Sequence, residues 1–375
     1  MYYNTFKDKQ LSALGLGCMR FPTLADGTID IEKTTAIVDY AIKNGINYFD
    51  TAWVYHNEQS ETVMGDILSG YPRESFYLAT KFPGFDVKYL TNVKEIFEAQ
   101  LKKCKTDYFD FYLFHSITDK NVEGYLNDEE YKIYSYLTEQ KKKGRIKHLG
   151  LSCHCSLDTL KRFFDAYGSE IEFCQIQLNW LDWEYQDAKA KVEYLNSINI
   201  PIWVMEPVRG GRLFNLAPKF DKIIKADYPD RNGAEWAFRY IQSIDGVCMT
   251  LSGMSNLEQL TQNIGLFSNK DPLPENEIEF LYDLGRQMTA KNTLPCTGCA
   301  YCTSYCPMEL DIPRFIELYN ENKFTTGGYI APKDMALIPD EKKPSACIAC
   351  RACEDVCPQG IKISEMMADF ATRLK

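Results

Sequence analysis

Ala13-Leu14-Gly15-Leu16-Gly17-Cys18-Met19-Arg20 ends the first apolar run of the chain, and its last residue arbitrates between two architectures. An open, doubly wound sheet would carry Gly-x-Gly-x-x-Gly here, so that the backbone could approach a pyrophosphate at a helix start. The first two glycines are Gly15 and Gly17, but the third position holds Arg20, and the pattern fails. Outward from this run, apolar segments at Ala13–Met19, Tyr48–Thr51, Phe76–Lys81, Phe109–His115, Ile146–Ser152, Phe173–Leu178, Ile202–Glu206 and Val247–Leu251 read as strands. They are short and almost wholly apolar, as parallel strands buried on both faces must be. Amphipathic segments at 32–44, 60–69, 88–104, 127–143, 156–167, 184–198, 232–243 and 256–266 read as the intervening helices. Asp30, Ser60, Ser156 and Ser255 or Asn256 stand where N-caps are needed. Eight strand–helix pairs in this span predict an α/β fold, a (β/α)8 TIM barrel.

Asp271-Pro272-Leu273-Pro274 interrupts the alternation and opens a linker with one helix over 275–289. The expected organisation is a barrel over 1–270, a linker helix over 271–290 and a small, α-helical and loop-rich domain over 291–375. That last part carries two copies of one cysteine spacing. Cys296, Cys299, Cys302 and Cys306-Pro307 form the first; Cys347, Cys350, Cys353 and Cys357-Pro358 form the second. Three thiolates at this spacing can converge on one iron–sulfur cube, while the fourth crosses to the other cube, the two-cluster ferredoxin arrangement. The spacing assigns Cys296, Cys299, Cys302 and Cys357 to one [4Fe–4S] cluster, and Cys347, Cys350, Cys353 and Cys306 to the other. A four-thiolate zinc site would leave the third cysteine and the Cys-Pro of each copy unexplained. In the insertion between the motifs, Pro313–Glu321 reads as a helix and Thr325–Pro339 as a Gly- and Pro-bearing loop.

The formal net charge is −10 and charged residues make up 25% of the chain. An acidic chain argues against a nucleic-acid partner, which needs a basic face. The Lys141-Lys142-Lys143-Gly144-Arg145 run reads as a solvated helix end. No apolar stretch of about 18 residues predicts a membrane span, and the N-terminus does not resemble a signal peptide. Fourteen cysteines without an export signal point to a reducing cytosol and metal chemistry instead of disulfides.

Barrel chemistry sits at the C-terminal ends of strands. Those ends offer Asp50 with Tyr55 just beyond, then Lys81, then His115. A phenol has a pKa near 10, and a neighbouring ammonium lowers it by favouring phenolate. A carboxylate can hold the lysine, and a histidine can orient a carbonyl oxygen. Such a set can deliver a proton to a developing alkoxide while hydride arrives from a nicotinamide. Each residue alone has a structural explanation, as an ion pair, a loop aromatic or a core histidine; four at successive strand ends favour chemistry. Cys153-His154-Cys155 fits a shared metal site poorly, because consecutive strand residues alternate in direction. Cys18, Cys104, Cys174 and Cys248 read as small buried hydrophobes. Phe21, Trp53, Phe82, Phe85 and Trp180 are candidates for a substrate mouth or for packing.

Phe49-Asp50-Thr51-Ala52-Trp53-Val54-Tyr55, followed by Ser60-Glu61 and Gly65, resembles the aldo-keto reductase signature. With the cysteine-rich tail, the chain resembles the iron–sulfur-containing branch of that family. The resemblance implies a catalytic tetrad of Asp50, Tyr55, Lys81 and His115, with NADH or NADPH as hydride donor to a small carbonyl substrate or acceptor from its alcohol. It further implies that Ser152 and Gln175 hold the nicotinamide carboxamide. Glu206-Pro207-Val208-Arg209-Gly210-Gly211-Arg212 matches the loop over the pyrophosphate, where glycines admit phosphate and arginines favour its charge. Ser252-Gly253-Met254-Ser255-Asn256, with Gln259, Gln262 and Asn263, matches the adenosine-binding turn and helix. Three departures stand out. Met205 occupies a position where many relatives stack an aromatic ring on the nicotinamide, Gly253 and Gln259 replace cations at the ribose 2′-phosphate, and Cys153 replaces an asparagine. The missing cations weaken discrimination for NADPH and leave the nucleotide open.

Nicotinamide moves two electrons and each cubane one. No flavin motif is legible, although barrels can hold flavin phosphate at their last loops. The leading expectation is an oxidoreductase whose clusters exchange electrons with a protein partner. The alternatives are structural clusters, a ferredoxin-type reductase with flavin, and a nicotinamide-binding sensor resembling potassium-channel β subunits.

Overall fold

The structure is a computed structural model that describes residues 1–289, 293–324, 330–336 and 338–374. They form two compact units, Met1–Leu178 with Ala188–Pro207 and Phe238–Leu273, and Asn179–Asp187 with Val208–Ala237 and Pro274–Lys375.

The first unit contains a hairpin, β1 (Tyr3–Phe6) and β2 (Lys9–Ser12), and eight further strands. These are β3 (Leu14–Gly17), β4 (Tyr48–Asp50), β5 (Tyr77–Phe82), β6 (Phe109–Ile117), β7 (Ile146–Cys153), β8 (Phe173–Gln177), β9 (Ile202–Met205) and β10 (Val247–Ser252). They run parallel in chain order, and β10 pairs back to β3 to close the barrel. All eight match the apolar runs. The reason is plainest in β6, where nine consecutive residues are buried because both faces are covered. Where a small residue is needed the chain supplies it: a Cβ on Gly150 would lie 2.5 Å from the Phe173 ring.

The hairpin was not legible as strands, yet it stops the bottom of the barrel. Phe6 stands edge-on to Trp203 at 5.1 Å and tilted to Phe111 at 5.6 Å, within a core that includes Leu11, Tyr48, Phe173 and Met249. Aromatic contacts of this kind add to the stabilisation from burial. Three expected caps are present: the side chains of Asp30, Ser156 and Asn256 accept from the amides of Lys33, Thr159 and Gln259. Ser60 is a correction. It lies inside the helix Ser60–Leu68, and its hydroxyl bonds instead to the Thr51 hydroxyl and the Cys18 carbonyl.

The second unit gathers the segments that follow β8 and β9 in the chain with the C-terminal region. The helix Glu275–Thr289 forms as expected, and a further helix, Pro218–Asp227, was missed. Trp183 stacks on Tyr282 at 6.1 Å, and Arg231 pairs with Glu277 at 2.5 Å. Around the cysteine motifs, Leu310, Ile312, Phe315, Ile316, Met367 and Phe370 form a separate apolar core. The helix read over Pro313–Glu321 runs from Ile312 to Phe324. Residues 325–329 and 337 of the loop read over Thr325–Pro339 lie outside the described residues, whereas Ile330–Met335 is a helix. Among the described residues no helix is long and apolar enough to cross a membrane.

Candidate active site and metal centre

Four of the residues picked at strand ends meet in the first unit. Asp50 closes β4, Lys81 lies near the end of β5 and His115 on β6. Tyr55 sits in the turn between β4 and the helix Ser60–Leu68. That turn is held by the Ser60 amide on the Tyr55 carbonyl at 3.2 Å and by the Phe21 amide on His56 Nε2 at 3.1 Å. Such anchoring is needed because His56, Asn57 and Glu58 all take positive φ, of 51°, 53° and 66°, a costly conformation for side-chain-bearing residues.

The Lys81 ammonium is fully buried and donates to Asp50 Oδ1 at 2.5 Å, to the Thr51 carbonyl at 2.7 Å and to the Tyr55 hydroxyl at 3.3 Å. Burial pushes the Asp50 carboxyl up, and the Lys81 charge works against that rise. The Tyr55 and His115 rings meet edge-on at 6.1 Å, and Phe85 stands edge-on to His115 at 5.2 Å. Burial, then the Lys81 and His154 charges, hold His115 well below the ordinary imidazole range, so the ring is neutral at pH 7. Its carbonyl accepts the Tyr125 hydroxyl at 2.6 Å. A neutral histidine beside a phenol and an ammonium can donate a hydrogen bond to an oxygen while the proton comes from elsewhere.

A buried polar layer supports the lysine strand. Glu61 Oε1 accepts from the Thr80 hydroxyl at 2.6 Å and from Gln100 Nε2 at 2.7 Å, and Gln100 also donates to the Lys81 carbonyl at 2.9 Å. Gln100, on the helix Val93–Lys103, carried no legible signal of this role.

Ser152 and Gln175 are register partners on β7 and β8. Ser152 Oγ accepts the Ser116 amide at 2.8 Å, which leaves its own proton to donate. Gln175 Nε2 rests on Met205 Sδ at 3.7 Å, while its buried Oε1 has no partner among the described residues. An unsatisfied amide acceptor there suits a carboxamide donor, so the pair fits a nicotinamide. Glu206 takes φ of 58°, and Pro207 follows it. Ser255 donates to the Arg20 carbonyl at 2.7 Å, and Gln259 closes the same turn by accepting the Ser255 amide at 2.8 Å. Asn263 is buried and donates to Ser252 at 3.4 Å; Gln262 is half-buried on the same helix. Of the mouth candidates, Phe21 and Phe82 are buried, while Trp53 is occupied by Glu58 at 3.0 Å and by the Lys103 ammonium 3.6 Å from its ring. Cys18, Cys104, Cys174 and Cys248 are buried.

In the second unit, Val208 accepts the Gly211 amide at 3.0 Å, and Gly210 and Gly211 take positive φ of 64° and 91°. Trp180, another mouth candidate, is buried there. The eight cysteines of the repeated motif line two recesses in the crossed pattern. Cys296, Cys299, Cys302 and Cys357 face one, and Cys306, Cys347, Cys350 and Cys353 the other. Burial and then the neighbouring Cys299, Cys296 and Cys357 push the Cys302 thiol up. Burial, Glu354, Cys306 and Cys347 raise Cys353 to about 12. Iron bound there would reverse that cost by deprotonating the thiols outright. Among the described residues no three His, Cys, Asp or Glu side chains are close enough to share one metal ion. Thiolates on a single tetrahedral zinc would stand only about 3.8 Å apart, given Zn–S bonds of about 2.3 Å. Backbone amides of Gly298 and Leu310 point at the sulfurs of Cys296 and Cys306, at 3.4 and 3.5 Å, the kind of contact that tunes such a group.

Residues 13–284 match the model of the aldo/keto reductase family. The chain belongs to that family. It is therefore an oxidoreductase, and residues 295–361 match the 4Fe-4S dicluster domain. Curated relatives include the uncharacterized oxidoreductase YqkF of Bacillus subtilis (strain 168), 26% identical over 310 residues, 75% of this chain and 94% of the relative. The probable aldo-keto reductase 1 of Glycine max is 28% identical over 314 residues, 73% of this chain and 85% of the relative. Among solved structures, the holo form of aldo-keto reductase AKR11C1 from Bacillus halodurans superposes with a TM-score of 0.62 at 24% identity, covering 76% of this chain and 95% of that one. An aldo/keto reductase from Klebsiella pneumoniae, solved in complex with NADP and acetate, gives 0.59 at 18% identity, covering 76% and 95%. At these identities the structural likeness speaks for the barrel alone.

Proposed function

We propose that this aldo/keto reductase interconverts a small carbonyl compound and its alcohol, with Tyr55 as proton donor and NADH or NADPH as hydride carrier. The observation that carries the reading is the Lys81 ammonium, 3.3 Å from the Tyr55 hydroxyl and 2.5 Å from Asp50. An ammonium at that distance favours charge on the phenol oxygen, so the proton leaves more readily. Asp50 holds the lysine in place, and neutral His115 donates to the substrate oxygen and orients the carbonyl. Bound reduced nicotinamide supplies hydride to the carbonyl carbon. Ser152 and Gln175 hold its carboxamide, with Met205 offering a thioether contact. Glu206, Pro207, Val208, Gly210 and Gly211 take the pyrophosphate, and Ser255, Gln259, Gln262 and Asn263 the adenosine end. The complex of the Klebsiella relative with NADP supports this class of cofactor.

The C-terminal domain holds two [4Fe–4S] clusters, one in each four-cysteine recess, and exchanges electrons with a protein partner in a reducing cytosol. Tyr55→Phe tests the barrel chemistry. The expected outcome is a fall in kcat of about 10²–10⁴-fold in anaerobic NAD(P)H-dependent carbonyl reduction, with cofactor affinity retained. Turnover within a few-fold of the parent would refute the mechanism.

A further inference from the structure

Arg209 and Arg212 flank the paired glycines of the loop assigned to the pyrophosphate, yet both side chains turn to the cysteine domain. Arg212 Nη1 donates to the Cys296 carbonyl at 2.9 Å, and Arg209 Nη1 donates to the same oxygen at 3.4 Å. Cys296 lines the first recess. Arg209 is only 4% exposed, and its Nε lies 3.1 Å from both oxygens of a fully buried Asp182. A guanidinium has five donors to satisfy. Its remaining nitrogen, Nη2, is buried without a partner among the described residues, as is the hydroxyl of Thr297 next to Cys296. Further bonds tie the segment after β8 to the entry of the cysteine motif: Tyr185 donates to the Thr293 carbonyl, and Gln186 donates to the Pro295 carbonyl at 3.2 Å.

The charges do not cancel evenly. Asp182 neutralises Arg209, while Arg212 leaves a net positive charge on the backbone of the first cluster cysteine. A cation there favours the reduced, more negative form of the cluster. A pyrophosphate seated on Gly210 and Gly211 would bring negative charge to the turn that carries both arginines. It would therefore disfavour the electron on the cluster held by Cys296. We infer that Arg209 and Arg212 couple occupancy of the dinucleotide-phosphate loop to the redox state of that cluster. They are positioning residues, and by linkage the effect is reciprocal: reducing the cluster weakens phosphate binding by the same factor. The inference rests on the pyrophosphate assignment made above.

ADP-ribose tests it, because it carries the pyrophosphate but no nicotinamide. The full chain, loaded anaerobically with iron and sulfide, is titrated electrochemically with EPR detection, with and without ADP-ribose. Calorimetry gives the affinity of the oxidised and the reduced protein. Of the two cluster couples, one is expected to move to lower potential and the other to stay. A tenfold weaker affinity in the reduced state corresponds to a shift of about 59 mV for a one-electron couple. Arg212→Gln, which removes the charge, is expected to lower that couple without ligand and to lose most of the shift; Arg212→Lys keeps both. ADP-ribose binding that moves neither couple overturns the coupling and leaves the cofactor reading intact. No binding in either redox state overturns both. A merely structural role predicts an Arg212→Gln protein with less iron but an undiminished shift in the loaded fraction, and that result too would refute the inference. Should Arg212→Gln fail to load, the parent titration and Arg212→Lys still decide.

Discussion

Replacing Lys81 with methionine removes an ammonium from a place that solvent does not reach, since the side chain is fully buried. Two consequences separate cleanly. The first concerns stability. Asp50 is 3% exposed, Oδ1 loses its partner at 2.5 Å, and Oδ2 has none among the described residues. Breaking a buried pair from one side costs about 3–5 kcal/mol. With an unfolding entropy of about 2.1 cal/mol/K per residue, that is roughly 4–6 °C in Tm for a chain of 375 residues. Asp50 can relieve part of the cost by taking a proton, because burial already pushes its carboxyl up and the opposing lysine charge is gone. The variant's folded state then binds a proton that its unfolded chain, with an aspartate pKa near 3.9, releases at neutral pH. Its stability must therefore fall as pH rises, by up to about 1.4 kcal/mol per pH unit relative to the parent. Asp50→Asn in the same chain removes the stranded charge and should restore most of the loss along with its pH dependence.

The second consequence concerns turnover. Methionine fills similar space but leaves the Tyr55 oxygen without its cation at 3.3 Å. A drop of about 10²–10⁴-fold in kcat is expected in both the single and the double variant, which is about 3–5 kcal/mol in the barrier. The measurements are thermal unfolding between pH 5 and 8 and anaerobic carbonyl reduction with cofactor saturating. Two results would defeat the reasoning: a folded Lys81→Met protein turning over within threefold of the parent, or a double variant no more stable than the single one.

Other perturbations follow from the same geometry. Gly65→Ala should destabilise by about 1–3 kcal/mol in chemical denaturation, because the added Cβ would meet the Lys103 carbonyl oxygen at 2.2 Å and the Cys104 backbone at 2.8 Å. Helix propensity alone predicts a gain of up to about 1 kcal/mol, so the sign decides. Burial would raise the Glu172 carboxyl, but hydrogen bonds from His148, Lys141 and Lys7 more than reverse this and hold it at about 2. Its contribution is present above the ordinary glutamate value of about 4.3 and lost as pH falls toward 2. Glu172→Gln should thus cost about 2 kcal/mol at pH 7, allowing for solvent screening, with the gap from the parent closing near pH 2 in acid denaturation. Because His115 stays neutral well below the ordinary imidazole range, kcat/KM for carbonyl reduction should show no inflection near pH 6.5. An inflection there that disappears in His115→Asn would show a charged ring at work.

Much of the barrel was readable because parallel strands covered on both sides demand unbroken apolar runs, and Phe109–Ile117 meets that demand residue by residue. The placement of Asp50, Lys81 and His115 was readable for a related reason: strand ends are fixed once strands are found, and these three residues sit on them. The hairpin escaped because its strands are four residues each, with β1 buried only at Phe6, and its turn runs through Lys7 at φ 53° without a glycine to mark it. Ser60 misled for the opposite reason. A serine before an amphipathic run is the mark of an N-cap, but here its hydroxyl is used to tie Thr51 and Cys18 at the rim.

Arg209 and Arg212 show where residue types stop being informative. Arginine beside paired glycines has the right charge for phosphate whether or not its side chain faces the loop. The partner that captures both is the carbonyl of Cys296, and every residue has a carbonyl, so nothing in the order of side chains marks this one. The cysteine spacing announces a ligand through its sulfur and is silent about its backbone oxygen. Asp182 is equally unmarked, being one carboxylate among many until folding buries it completely and sets the Arg209 nitrogen between its two oxygens. Chemistry carried by side chains at regular strand ends can be found by reading along the chain. Chemistry that joins a side chain to a distant backbone atom requires the fold, and in this protein such a contact runs from Arg209 and Arg212 to the carbonyl of Cys296.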